Sequence, residues 1–155
     1  MPVISMNVPK LREELERDEG CVYEIYNCSE GHPTFGIGHL ILRTDPEYGK
    51  PIGTPVSAER VAEAFEADLD MVLLDCLKLY PDFNTLPEEA KLIIANMMFN
   101  LGYPSLSRFR DMKQCVLDED WEGASLAMHQ SKWFHQVGDR AVRLCERMAQ
   151  LAIPF

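Results

Sequence analysis

Three features of the chain predict an α+β fold: β-prone residues confined to one short region near the N-terminus, one long helical run over about residues 57–80, and helical periodicity nearly everywhere after it. Residues 9–19 place Val8, Leu11 and Leu15 on one helical face, with Gly20 where a C-terminal cap would sit. Then CVYEIY and TFGIGHLI are rich in β-branched and aromatic residues, and the NCSEGHP between them is dense in turn formers, so an antiparallel hairpin is expected. The proline- and glycine-rich RTDPEYGKPIGTP should be irregular, with room for one short strand around Lys50 to Ile52.

Ser57 can cap the long helix, in which Val61, Phe65, Leu69, Val72, Leu73, Cys76, Leu77 and Tyr80 recur at helical spacing. At 1.5 Å per residue this rod measures roughly 35 Å, long enough to link two lobes. Four further helices are expected: Pro87 to Leu101 ending at Gly102, Ser107 to Asp118, Asp120 to Ser131, and Asp139 to Leu151. The organisation predicted is a single domain over residues 1–155. It has a small hairpin lobe at about 20–56, the linking helix at about 57–80, and a helical lobe at about 81–155 that also takes in the N-terminal helix. A cleft between lobes is the expected place for a site.

Composition narrows the function. A formal charge of −10 argues against a broad basic surface for nucleic acid, whose binding depends on clustered Lys and Arg releasing counterions. Five scattered cysteines with no CxxC pair and no His at zinc-site spacing point to a reduced compartment and no metal. MPVISMNVPK lacks the apolar run of a signal peptide, and no stretch reaches the length needed to cross a bilayer, so synthesis in the cytoplasm is expected.

The chemistry concentrates in DEGCVYEIYNCSEGHPTFGIGHL. Glu19 would end a helix, where the negative end of the dipole favours the protonated carboxyl, as a general acid requires; a solvated terminal acid is the plainer alternative. Strand alternation would set Thr34, Gly36 and Gly38 on one face and Phe35, Ile37 and His39 on the other. The bare face is either a floor for a flat substrate or a mark of bulges.

The order Glu19, Gly20, Tyr26, Glu30, Gly31, Thr34 and GIGHL resembles the phage-type lysozyme (endolysin) family, glycoside hydrolase family 24. The likeness continues through the long helix, NMMFNLG, DWEGA, SKWF and DRAVR. It implies a two-lobed enzyme, acting as a monomer, that cleaves the β-1,4 bond between N-acetylmuramic acid and N-acetylglucosamine in bacterial peptidoglycan. It implies no metal or organic cofactor, and action on the cell wall after release from the cytoplasm.

Carried over by that resemblance, Glu19 falls on the general acid and Thr34 on the threonine that helps hold the attacking water. Cys28 stands where most members have aspartate. Glycoside cleavage passes through an oxocarbenium-like state served by two opposed acidic groups, and a thiol of ordinary pKa is only a few per cent ionised at neutral pH. A thiolate, however, carries the required charge and is a strong nucleophile. Glu30 matches a cleft residue, or is simply an exposed turn acid. Leu40 and Phe99 match positions lining the saccharide cleft, with core packing as their structural alternative; Asn100 stands where the family's best-known member has glutamine. Arg140 falls on an arginine that pairs with the catalytic glutamate. His39 and Asp68 match a supporting ion pair between hairpin and long helix. Trp133 is expected to pack the helical lobe, and Cys21 is near enough in sequence to Cys28 for an oxidative pairing to be conceivable. The acidic charge should weaken steering toward anionic walls.

Overall fold

The computed structural model describes residues 4–153, so the outermost ends of the expected domain lie outside the described residues. These residues group into two compact units, Pro9–Met71 and a second formed by residues up to Val8 together with Val72 onward.

The first unit begins with helix α1 (Val8–Glu19), which buries Leu11, Glu14 and Leu15. Its Arg12 donates to Glu66 at 2.8 Å. This pairing helps to tie α1 to the sheet-bearing unit, whereas the sequence had suggested that it belongs with the helical lobe. Gly20, at φ +74°, ends α1 by donating to Glu16 O at 2.9 Å. Three strands follow, β1 (Val22–Asn27), β2 (Pro33–Gly36) and β3 (His39–Leu40), in the order β1-β2-β3 and antiparallel throughout. The run TFGIGHLI is therefore not one strand. Gly36 and Gly38 hold φ of +64° and +63°, and the chain reverses between them so that Phe35 pairs with His39 and Thr34 with Leu40. The expected short strand at Lys50 to Ile52 does not form either. Pro51 has no N–H to give a ladder, and its carbonyl instead accepts from Thr54 N at 3.2 Å in a turn. Residues 53–56 run along the free edge of β1, with Ile25 N on Thr54 O at 2.9 Å and Val56 N on Tyr23 O at 2.9 Å.

Helix α2 (Ala58–Leu79) starts at Ser57, whose Oγ accepts from Arg60 N at 3.1 Å. Arg60 then gathers the loop after β3. It donates to both oxygens of Glu47 at 2.9 and 3.0 Å and to Asp45 at 3.1 Å, with its guanidinium 5.5 Å from the Phe35 ring centre. The network continues to buried His39, whose Nδ1 lies 2.7 Å from Asp68 Oδ2 and whose Nε2 lies 2.8 Å from Asp45 Oδ2. With a carboxylate at each nitrogen, both nitrogens are donors and the ring is an imidazolium. Burial pushes His39 toward neutrality, but Asp68 and Asp45 outweigh it and raise its pKa. Asp45 moves the other way: burial raises it, while the Leu42 amide and His39 bring it below the usual carboxylate range.

The signs give a testable pH window. The contribution of His39 is complete below its unfolded value, near 6.5, and is lost as pH rises through the higher folded value; that of Asp45 is complete above about 4 and lost as pH falls. Thermal melts should therefore show a Tm falling by about 2–4 °C between pH 6 and pH 9, equivalent to about 1 kcal/mol at this size. His39→Gln should flatten that slope.

In the second unit α3 (Glu88–Leu101) is buried at every position from Ala90 to Met98, the signature of a helix surrounded on all sides. Gly102, at φ +82°, closes it by donating to Met98 O at 2.8 Å. The helix expected over 107–118 forms as α5 (Arg110–Leu117), and a short helix that was not expected, α4 (Tyr103–Leu106), precedes it. They part where Ser107 Oγ bonds back to Pro104 O at 2.8 Å, a local bond that competes with helix continuation. Next come α6 (Trp121–His129), capped by Asp120 on Gly123 N, and α7 (Lys132–Val137), capped by Ser131 on Phe134 N and not foreseen from periodicity. The last helix is α8 (Asp139–Gln150). Among the described residues no helix is long and apolar enough to cross a membrane, and no group of three or more His, Cys, Asp or Glu could hold a metal ion.

Candidate active site

Glu19 is the last residue of α1, and the turn after β2 comes directly up against it. A methyl group placed on Gly38 would lie 2.9 Å from Glu19 Oε1 and 3.1 Å from its Cδ. Gly38 is thus required both by its left-handed φ and by the carboxyl beside it. Gly36 does different work: a methyl there would meet Val61 Cγ1 at 3.0 Å, so its bareness lets α2 pack against the turn. Gly38→Ala should lose about 2 kcal/mol of stability from the strained φ alone. It should also displace the carboxyl and lower any turnover that uses Glu19 at least tenfold, measured by thermal melts and peptidoglycan digestion.

Cys28 sits just past β1, where a tight turn begins. Its carbonyl accepts from Gly31 N at 2.8 Å and its own N–H donates to His32 O at 2.9 Å, with Gly31 at φ +81°. The turn favours a charged sulfur. The His32 backbone N–H is the strongest influence lowering the Cys28 pKa, and the Glu30 N–H and Thr34 hydroxyl add to it. Partial burial and the Glu30 carboxylate oppose them, and the net displacement is toward the thiolate. The buried Thr34 hydroxyl lies 2.9 Å from His32 O. It donates its one proton to that carbonyl.

Tyr26 links acid and thiol. It precedes Cys28 by two residues in an extended segment, which puts both side chains on one face, and it is the register partner of Thr34. Burial raises the pKa of its phenol, and the negative charges of Glu19 and Cys28 raise it further. It therefore remains an O–H at neutral pH. The sequence offered Tyr26 only as part of a family pattern; the i, i+2 relation to Cys28 was the signal that could have marked it as a site residue.

Leu40, opposite Thr34 in β3, is 49% exposed on that same face, an apolar shelf and not the core packing its alternative reading allowed. Glu30 is exposed on the turn and near enough to Cys28 to oppose its ionisation. His39 and Asp68 pair with each other and anchor β3. Oxidative pairing of Cys21 with Cys28 is ruled out by β1 itself. About seven residues at ~3.3 Å each separate them by roughly 20 Å, against the ~7 Å between Cα atoms that a disulfide spans.

The remaining candidates lie in the second unit. Phe99 is half-buried and Asn100 exposed at the end of α3, and Asn100 Oδ1 accepts from buried Trp133 Nε1 at 2.8 Å. Arg140, in the first turn of α8, is buried and donates from Nε to Asn96 Oδ1 at 2.8 Å.

Against known proteins, residues 16–150 match the model of the family described as Phage lysozyme. The pre-baseplate central spike protein Gp5 of Enterobacteria phage T4 is 31% identical over 152 residues, which cover 86% of this chain and 26% of that protein. The peptidoglycan hydrolase gp36 of Pseudomonas phage phiKMV is 28% identical over 147 residues, 95% of this chain and 16% of that protein. Probable T4-type lysozyme 2 of Dictyostelium discoideum is 26% identical over 156 residues, 88% of this chain and 92% of that protein. The chain thus spans about a quarter or less of the two phage proteins and nearly all of the Dictyostelium one.

Proposed function

The chain belongs to the phage lysozyme family, and from that premise we propose that it hydrolyses bacterial peptidoglycan at the β-1,4 bond between N-acetylmuramic acid and N-acetylglucosamine. Glu19 gives its proton to the glycosidic oxygen as the bond to the anomeric carbon breaks, and Cys28 meets the positive charge that develops there. What supports this reading is the small sheet: Gly38, just before β3, comes up against Glu19, and Thr34 pairs with Tyr26, two residues before Cys28. Tyr26, kept neutral between Glu19 and Cys28, acts as a positioning residue.

The backbone of His32 and Glu30 and the Thr34 hydroxyl all favour the charged form of Cys28. A sulfur favoured in its charged form suits a negative charge that faces the developing cation and takes a proton from water. Water held by Thr34 and the thiolate then attacks, the thiolate taking its proton, and the anomeric configuration inverts. By the family resemblance Leu40, Phe99 and Asn100 are saccharide contacts, and Arg140 is the arginine that supports the acid.

Digestion of purified peptidoglycan under reducing conditions, followed by borohydride reduction, tests the assignment. New muramic acid reducing ends are expected, with the inverted anomer seen by NMR before reduction. Glucosamine ends would overturn the bond assignment, and a glycosyl adduct on Cys28 by mass spectrometry would overturn the water route. Sedimentation with the wall and no release at all would make the chain a peptidoglycan-binding protein.

A further inference from the structure

Within the second unit, α6 and α8 border a surface cavity of about 430 Å3 that the proposed hydrolysis does not use. Each helix contributes one stripe at helical spacing. Glu122, Ser125, Leu126 and His129 come from α6, and Val142, Cys145, Glu146 and Ala149 from α8. Ser125 Oγ donates to Cys145 O at 2.7 Å and fastens the two helices together along the groove. The floor is apolar and partly bare: Leu126 is 58% and Val142 38% exposed, and Phe134 of α7 lines it beneath His129, the two rings stacked at 4.0 Å. Burying such side chains stabilises a complex substantially, so a linear groove with this lining is suited to receive another element. Glu122 and Glu146 are exposed, and neither forms an ion pair with another described residue.

We propose that this groove docks a basic amphipathic helix of another protein, its aliphatic stripe seated between α6 and α8 and its Lys or Arg residues paired with Glu122 and Glu146. Two parallel stripes at i, i+3, i+4, i+7 spacing match the ridges of a third helix better than they match a compact small molecule. A second copy of this chain fits poorly. A two-fold contact would set each acidic rim against itself, in a chain of formal charge −10. An anionic membrane surface is repelled for the same reason.

The test uses the full chain, isotopically labelled. The probe is a synthetic peptide of about five helical turns with Leu at i, i+3, i+4, i+7 spacing and Lys elsewhere, compared with a scrambled peptide of the same composition. The amphipathic peptide should bind at least tenfold more tightly, with resonance changes concentrated around Leu126, Phe134 and Val142. Leu126→Glu and Glu146→Lys should each weaken it about tenfold or more without altering peptidoglycan digestion. Equal binding of both peptides, or changes spread over the whole surface, would overturn the proposal. So would self-association in sedimentation velocity that Leu126→Glu abolishes, or flotation with phosphatidylglycerol vesicles.

Discussion

Glu19→Gln should lower peptidoglycan release by about a thousandfold while leaving the melting temperature nearly unchanged. The amide has the shape of the carboxyl and keeps the close approach to Gly38, where a methyl group would already stand only 2.9 Å from Oε1. What it lacks is a transferable proton, and positioned general acids typically contribute factors of about 10²–10⁴. Parallel digestion of purified wall by wild type and variant, together with thermal melts, isolates that loss. Turnover within tenfold of wild type would remove Glu19 from the chemistry, whatever the fold.

The second large effect falls on Cys28. Cys28→Ala, or complete alkylation, should reduce turnover by about a hundredfold or more, since it deletes the negative charge that faces the developing cation. Cys28→Asp should stay within about tenfold of wild type, because surroundings that favour a charged sulfur favour a carboxylate as well. The pH profile separates the two anions. If the thiolate is the working form, wild-type activity climbs as pH rises through the lowered Cys28 pKa. In the aspartate variant that climb moves several pH units toward acid, as the carboxylate reference pKa requires. An unaltered ascending limb would show that some other group sets it, and full activity after alkylation would end the case for a working sulfur.

The sequence carried the large elements well because their signals are redundant. The long helix has both a cap at Ser57 and an apolar stripe, and α3 has both periodicity and a terminal Gly102. It failed where one local feature decides the path. TFGIGHLI has the composition of a strand, yet two left-handed glycines fold it back on itself. Ser107, expected to open a helix, instead closes α4 through a bond to Pro104 that periodicity does not register. At the site, the grouping of Glu19, Cys28 and Thr34 came from the family resemblance and not from periodicity or composition. The neighbours of Glu19 come from the reversal at Gly38, and those of Cys28 from the backbone of its own turn, which has no side-chain signature.

The turn that holds Cys28 also sets how the protein ages in air. Cys76, Cys115 and Cys145 are all displaced toward the protonated thiol, by burial above all, whereas Cys28 is displaced toward the form that peroxide attacks. Nor can β1 bring Cys21 across to trap a sulfenic acid as an internal disulfide. Outside a reducing compartment Cys28 should therefore be oxidised ahead of those three and continue to the sulfinic acid unless an external thiol intervenes, a clock that an aspartate in its place would not carry.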